Sequence, residues 1–283
     1  MRIVVASGKG GTGKTTVATS LALVAAERGL VRFMDCDVEA PNAGLFLNPA
    51  LDTHKEVGIL IPKVDETICT FCGKCAEVCQ FHAIAMIGKK TLVFPELCHG
   101  CGSCALVCPE NAISEHLNVM GVLESGPANH KIDFVQGVMN VGEPMAVPII
   151  RELKKWEPND NTKIEIRDAP PGASCPVVET IRGADFVLLV TEPTPFGLHD
   201  LKQVVEITRE LGLPTGVVVN RDGIGDNTVQ GYCDESCIPI LMRIPMDRQI
   251  AEGIAQGRTL VEIKPELGLA FSEMLEQIVQ SVA

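Results

Sequence analysis

The residues from Gly8 to Thr16 read Gly-Lys-Gly-Gly-Thr-Gly-Lys-Thr-Thr, and Gly8-x4-Gly13-Lys14-Thr15 has the spacing of a phosphate-binding P-loop. Gly8, Gly10, Gly11 and Gly13 let the backbone curl. Successive N–H groups, that of Thr12 among them, then face phosphate oxygens with the positive end of a helix behind them. Lys14 reaches the β- and γ-phosphates as a point charge, and the Thr15 hydroxyl serves as a Mg²⁺ ligand, with Thr16 next in the helix. The chemistry on offer is binding and hydrolysis of ATP.

Twelve cysteines are the second chemical signal. In a chain with a nucleotide loop and no export signal, thiols point to metal rather than disulfides. Cys69, Cys72, Cys75 and Cys79 form C-x2-C-x2-C-x3-C, and Cys98, Cys101, Cys104 and Cys108 repeat it 29 residues later, as Ala112-Ile113 repeats Ala83-Ile84. Two C-x2-C pairs alone would suit zinc; eight cysteines in tandem point to iron–sulfur. The pattern resembles that of bacterial two-cluster ferredoxins. That resemblance implies two [4Fe–4S] clusters, one on Cys69, Cys72, Cys75 and Cys108, the other on Cys98, Cys101, Cys104 and Cys79. Gln80 stands where the ferredoxin pattern usually has proline. His82 and His99 have no counterparts in the repeat and read as surface residues.

These groups need a frame, and the apolar pattern supplies one. Ile3–Ala6 is a buried strand before the loop, and 17–28 has a helical pattern after it. Further strands fall at Leu30–Asp35, 164–168, Phe186–Thr191, Gly216–Arg221 and Ile238–Ile244, with a helix expected from about Leu201 to Leu211. Strands alternating with helices imply an α/β fold with a doubly wound, mostly parallel sheet. The expected organisation is a P-loop ATPase domain in two parts, 1–61 and 122–283. A small α+β, ferredoxin-like insert occupies 62–121, its core too small to be stable without its clusters. Asp35, Asp37 and Asp168 lie at or just past strand ends, beside the crevice where such sheets bind ligands.

Composition excludes several functions. A formal net charge of −12 leaves no basic stripe for nucleic acid or an anionic membrane surface. No run of 18 apolar residues occurs and the N-terminus leads directly into a strand, so the expected location is cytoplasmic. The amphipathic C-terminal stretch carries Glu266, Glu273 and Glu276 with no basic residue after Lys264, which suits packing on the core rather than membrane binding.

Lys-Gly-Gly-x-Gly-Lys-Thr-Thr, with its early Lys9, resembles the deviant P-loop of the MinD/Mrp/ParA and nitrogenase-iron-protein superfamily. Asp35–Asn42 and Asp168-Ala-Pro-Pro-Gly172 resemble its switch I and its Walker B with switch II. The resemblance covers nearly the whole chain and is to the branch with an inserted ferredoxin. It implies an ATP-dependent homodimer in which Lys9 crosses to the partner's γ-phosphate. By the same resemblance Asp37 orients the attacking water, Asp168 holds the Mg²⁺ shell, Gly172 offers its N–H to the γ-phosphate and Asn220 reads adenine. The expected function is an ATPase that gates electron transfer to a redox partner. The alternatives are cluster delivery to an accepting protein, or positioning with redox-sensing clusters. Mrp-type relatives carry a bridging C-x2-C; Cys233-x3-Cys237 differs in spacing. Cys36, Cys175, Cys233 and Cys237 therefore read as free thiols.

Overall fold

Short apolar runs separated by helices build a sheet whose central strands are buried on both faces. The structure is a computed structural model and describes residues 1–128, 131–157 and 162–282. In chain order the strands are β1 (Arg2–Ala6), β2 (Val31–Asp35), β3 (Thr53–Val64), β4 (Ile84–Met86), β5 (Thr91–Val93) and β6 (Ile113–Ala128). They continue with β7 (Ile132–Met139), β8 (Ile164–Asp168), β9 (Phe186–Thr191), β10 (Thr215–Asp222) and β11 (Ile240–Pro245). Nine of them form one sheet in the order β11-β10-β9-β1-β8-β2-β7-β6-β3, and β4 pairs with β5 apart from it. Pairing is parallel from β11 to β7 and antiparallel at β6 and β3.

Alternation along the strands divides the core. Ile3, Val5, Phe33 and Leu188 face the helices Lys14–Ala26 and Leu267–Val282. Val4, Ala6, Leu189 and Val217 face Cys175–Ile181 and Pro195–Glu210. A third cluster, including Met34, Val38, Met120, Leu123 and Ile149, lies under the helix Val147–Lys154 at the β7-β6-β3 end. The acidic C-terminal helix buries Phe271, Met274, Leu275 and Ile278 on the core, as its pattern implied.

Two elements run longer than the sequence pattern suggests. The first helix begins at Lys14, because the last P-loop residues already form its first turn, and it ends at Ala26. The helix after β9 begins at Pro195, whose fixed φ suits a first turn and whose preceding Thr194 accepts from Gly197 N. Residues 62 and 121, read as the edges of an insert, both fall inside strands. β3 and β6 pair in unbroken succession from Thr53↔Ser125 to Val64↔Ile113, with one bulge at Val57/Gly58. Pro62 does not stop β3, because β3 is the edge of the sheet and a missing N–H is tolerated there. The cysteine-bearing segment, 65–112, hangs from the far end of this ladder.

Arg32 ties the two halves of the sheet together. Its side chain is 1% exposed and pairs with Asp133, its cross-strand neighbour on β7, at 2.9 Å. It also donates to the carbonyl of Trp156 at 2.7 Å. Replacing one partner of such a pair strands the other, so Arg32→Met is expected to cost about 3 kcal/mol of unfolding free energy. Denaturant unfolding checks this; an unchanged midpoint would show that water satisfies Asp133 once the arginine is gone.

Candidate functional site

The parallel pairing of β1 with β8 places the P-loop against Asp168. Gly11 and Gly13 adopt φ of 79° and 88°, a region closed to most side chains, and turn the chain into the helix. Gly8 has no room for a side chain either: a Cβ there would lie 2.2 Å from the carbonyl oxygen of Asp200. Lys14 Nζ reaches Asp168 Oδ1 at 2.7 Å and Thr15 Oγ1 donates to Asp168 Oδ2 at 2.6 Å. Lys14, Thr15 and Asp168 are thus brought together, and their cation, hydroxyl and carboxylate are the donor set that Mg²⁺-triphosphate requires.

Asp35 and Asp37, adjacent in sequence, do different work. Asp35 is fully buried and accepts from the backbone N–H groups of Asp37, Asn42 and Ala43 at 3.1, 3.0 and 2.9 Å. Burial, and then the nearby Asp168 carboxylate, push its carboxyl up to about 7. It folds the loop that presents Asp37. Asp37 is half-buried and lines the cleft, and burial raises its carboxyl also.

The cleft has a volume of about 470 Å³ and is lined by Lys9 to Thr16, Asp37 and Pro171 at its phosphate end. Phe46, Asn220, Arg221, Met246, Asp247 and Ile250 line it elsewhere. Asn220 lies on the wall with its amide engaged, Nδ2 donating to Thr12 O at 2.7 Å and Oδ1 accepting from Arg221 N. Gly172, at φ 97°, donates its N–H to Ser7 O at 3.0 Å. Lys9 pairs within its own chain with Glu192 at 3.1 Å. Sequence reasoning missed Glu192, Arg221 and the apolar wall of Phe46, Met246 and Ile250. Glu192 follows directly on the C-terminal end of β9, so the strand-end rule applied to Asp35 and Asp168 would have found it.

The cysteine repeat is also a repeat of backbone. Positive φ recurs at Phe71 and Gly100, at Gly73 and Gly102, and at His82 and Asn111, each pair at the same sequence offset. Backbone N–H groups face sulfurs in matching pairs: Phe71 to Cys69 and Gly100 to Cys98, at 3.4 and 3.5 Å, then Ala83 to Cys79 and Ala112 to Cys108, at 3.2 and 3.3 Å. Cys69, Cys72, Cys75 and Cys108 line one cavity, and Cys79, Cys98, Cys101 and Cys104 line another. Among the described residues no three His, Cys, Asp or Glu side chains converge on a site for one metal ion. Four sulfurs spread around a cavity fit a cluster of several irons, whose ligands stand farther apart than those of a single ion. His82 and His99 are exposed, the latter stacked on Phe81 with ring centroids 3.7 Å apart.

The remaining cysteines lie elsewhere. Cys36 and Cys233 are buried, and burial raises their thiols to about 12 and about 11. Cys175 and Cys237 are exposed.

A family model of the CobQ/CobB/MinD/ParA nucleotide binding domain matches residues 3–261. MJ0579, an uncharacterized protein of Methanocaldococcus jannaschii, is 33% identical over 267 residues, which is 93% of this chain and 92% of that one. The iron-sulfur cluster carrier protein of Aquifex aeolicus is 24% identical over 303 residues, 99% of this chain and 68% of that protein. Among solved structures, the septum site-determining protein MinD of Pyrococcus horikoshii, complexed with Mg-ADP, matches with a TM-score of 0.58 at 22% identity. It covers 98% of this chain and 95% of that one, a likeness of fold. With its P-loop, its carboxylates and its sheet order in place, the chain belongs to the CobQ/CobB/MinD/ParA nucleotide-binding family.

Proposed function

We propose that the protein is a Mg²⁺-dependent ATPase whose nucleotide state governs electron transfer through two [4Fe–4S] clusters carried on residues 65–112. The observation that carries this reading is the sorting of eight sulfurs into two cavities, each lined by three from one motif and one from the other. Full thiolate ligation suits clusters that stay in place and pass electrons. Bound there, the clusters would supply the redox chemistry. The chain's part is to hold them, screen them with apolar groups and donate N–H groups to their sulfurs.

At the nucleotide, Lys14 neutralises the β- and γ-phosphates, and Thr15 and Asp168 would hold the Mg²⁺. Bound there, that ion would supply charge stabilisation to the transferring phosphoryl group. Asp37 is placed to orient the attacking water. Lys9 contributes to the other subunit of an ATP-dependent homodimer, and Gly172 exchanges Ser7 O for a γ-phosphate oxygen. A hydrogen-bonded path joins switch I to the clusters' support. Val38 O accepts from Met139 N, and Asn140 bonds the carbonyls of Met120 and Val119 on β6, the strand that leads back from the cysteine segment. Rearrangement of switch I on hydrolysis thereby reaches the insert.

Cluster delivery is the second reading, favoured by similarity over almost the whole chain to a protein named as an iron-sulfur cluster carrier. A labile cluster shared between subunits would need exposed paired thiols, and Cys233 is buried. Electron transfer therefore stands first.

Anaerobic redox titration without nucleotide, with ADP and with a non-hydrolysable ATP analogue tests the choice. A shift of tens of millivolts between states is expected, about 59 mV being a tenfold change in equilibrium for one electron; identical potentials would favour delivery. Lys9→Ala should abolish ATP-driven dimerisation in sedimentation experiments while leaving the iron content unchanged. Cys69→Ser and Cys108→Ser should each remove about half of the iron, and the double variant no more than that. Additive losses would place the two residues on different clusters.

A further inference from the structure

Glu192 is the least expected group at the nucleotide site. Its side chain is 7% exposed, yet it serves two cations at once. Oε2 pairs with Lys9 Nζ at 3.1 Å, and Oε1 accepts from Arg221 Nη1. Arg221 in turn donates through Nη2 to the carbonyl of Gly11 at 3.2 Å, bracing the P-loop from outside. One carboxylate thus links the trans-acting lysine, the P-loop and the end of β10.

The two sides of the Lys9–Glu192 pair differ in freedom. Glu192 is held by its own backbone: its carbonyl accepts from Thr194 N at 2.8 Å, and Gly197 packs so closely that a Cβ there would lie 2.2 Å from that oxygen. Thr191 Oγ1 also donates to Gly197 O at 2.9 Å, closing the turn. Lys9, by contrast, is 35% exposed on a flexible four-carbon stem. If the pair separates, the lysine moves and the glutamate stays. Separation does not strand a buried charge, because Arg221 remains on Glu192.

We propose that Glu192 is a positioning residue that holds Lys9 against its own chain until a γ-phosphate presented by a second copy draws the lysine away. This deepens the dimer reading above and rests on it. The competition is electrostatic. A carboxylate carries one negative charge and a nucleoside triphosphate several, so the triphosphate wins where a diphosphate, lacking the terminal group, falls short. Glu192 would then set the threshold at which ATP, and not ADP, closes the dimer, and Arg221 would keep the threshold low by remaining behind as counter-ion.

The test is the dimerisation of Glu192→Gln, followed by analytical ultracentrifugation against a non-hydrolysable ATP analogue and against ADP. Relief from an ion pair of this exposure should lower the analogue concentration for half-dimerisation about fivefold. In a Lys9→Ala background the same substitution should change nothing further, since the effect acts through the lysine. Glu192→Asp, which keeps a charge for Arg221 while shortening the reach to Lys9, should shift dimerisation the same way and covers the case in which the glutamine variant does not fold. A merely structural role would weaken dimerisation in both variants, and that result, or an unchanged threshold, overturns the proposal. Dimers that persist in Lys9→Ala overturn the cross-dimer reading and this inference together. Dimers lost in Lys9→Ala but unmoved in Glu192→Gln overturn this inference alone.

Discussion

Asp168 takes Lys14 on one carboxylate oxygen and Thr15 on the other, and the sheet is ordered so that it can. β8 must lie beside β1 in parallel, with both strand ends on the same edge, or the carboxylate would not meet the first turn of the helix. The contact is wholly buried on the Asp168 side, where a charge pair is strong but costly to desolvate. Asp35 and Asp37 add further negative charge nearby, and burial drives both carboxyls upward. A site with three carboxylates around one lysine is electrostatically incomplete by itself. A divalent cation brings the opposite charge that lets such a site accept a polyphosphate, which is a physical reason for it to bind the two as a unit.

What could be read from the sequence was whatever chemistry compresses into consecutive residues. The P-loop was legible because its glycines, lysine and threonine must follow one another to wrap a phosphate. The cysteine repeat was legible because thiolates on a tight turn need two-residue gaps. Strands were legible as continuous apolar runs wherever both faces were buried, as in Ile3–Ala6 and Phe186–Thr191. Less was visible where the partner is distant. Nothing near Lys9 announces Glu192, and nothing near Arg32 announces Asp133, because parallel pairing joins residues far apart in the chain. The full length of the β3/β6 ladder was hidden for a related reason. Pro62 looks like a break, but a strand at the border of a sheet tolerates it, and the ladder runs on to Val64.

The cysteine segment also shows how duplication is kept in a fold. The paired positive φ values include Phe71, His82 and Asn111, none of them glycine, so the same backbone path is imposed on different side chains. In both copies that path turns a backbone N–H onto the first cysteine's sulfur and another onto the fourth's. The copies differ at Lys74 and Ser103. Ser103 pulls the Cys101 thiol below its usual range through its hydroxyl and backbone N–H. The two cavities are alike in frame and unlike in electrostatics.

The β3/β6 ladder can also be regarded as a mechanical part. Beyond Gly121, where β6 leaves β7, the residues Gly58–Val64 of β3 at strand rise give an arm of about 23 Å, anchored at its root in the sheet and carrying the cysteine segment at its tip. A cross-linked two-stranded ribbon resists bending far better than a loop of equal length. A tilt of about 3° at the root of such an arm displaces its tip by about 1 Å. On the proposed function, leverage of that kind would turn a small rearrangement around a phosphate into a change of distance between donor and acceptor, with no need for the segment at the tip to alter its own conformation.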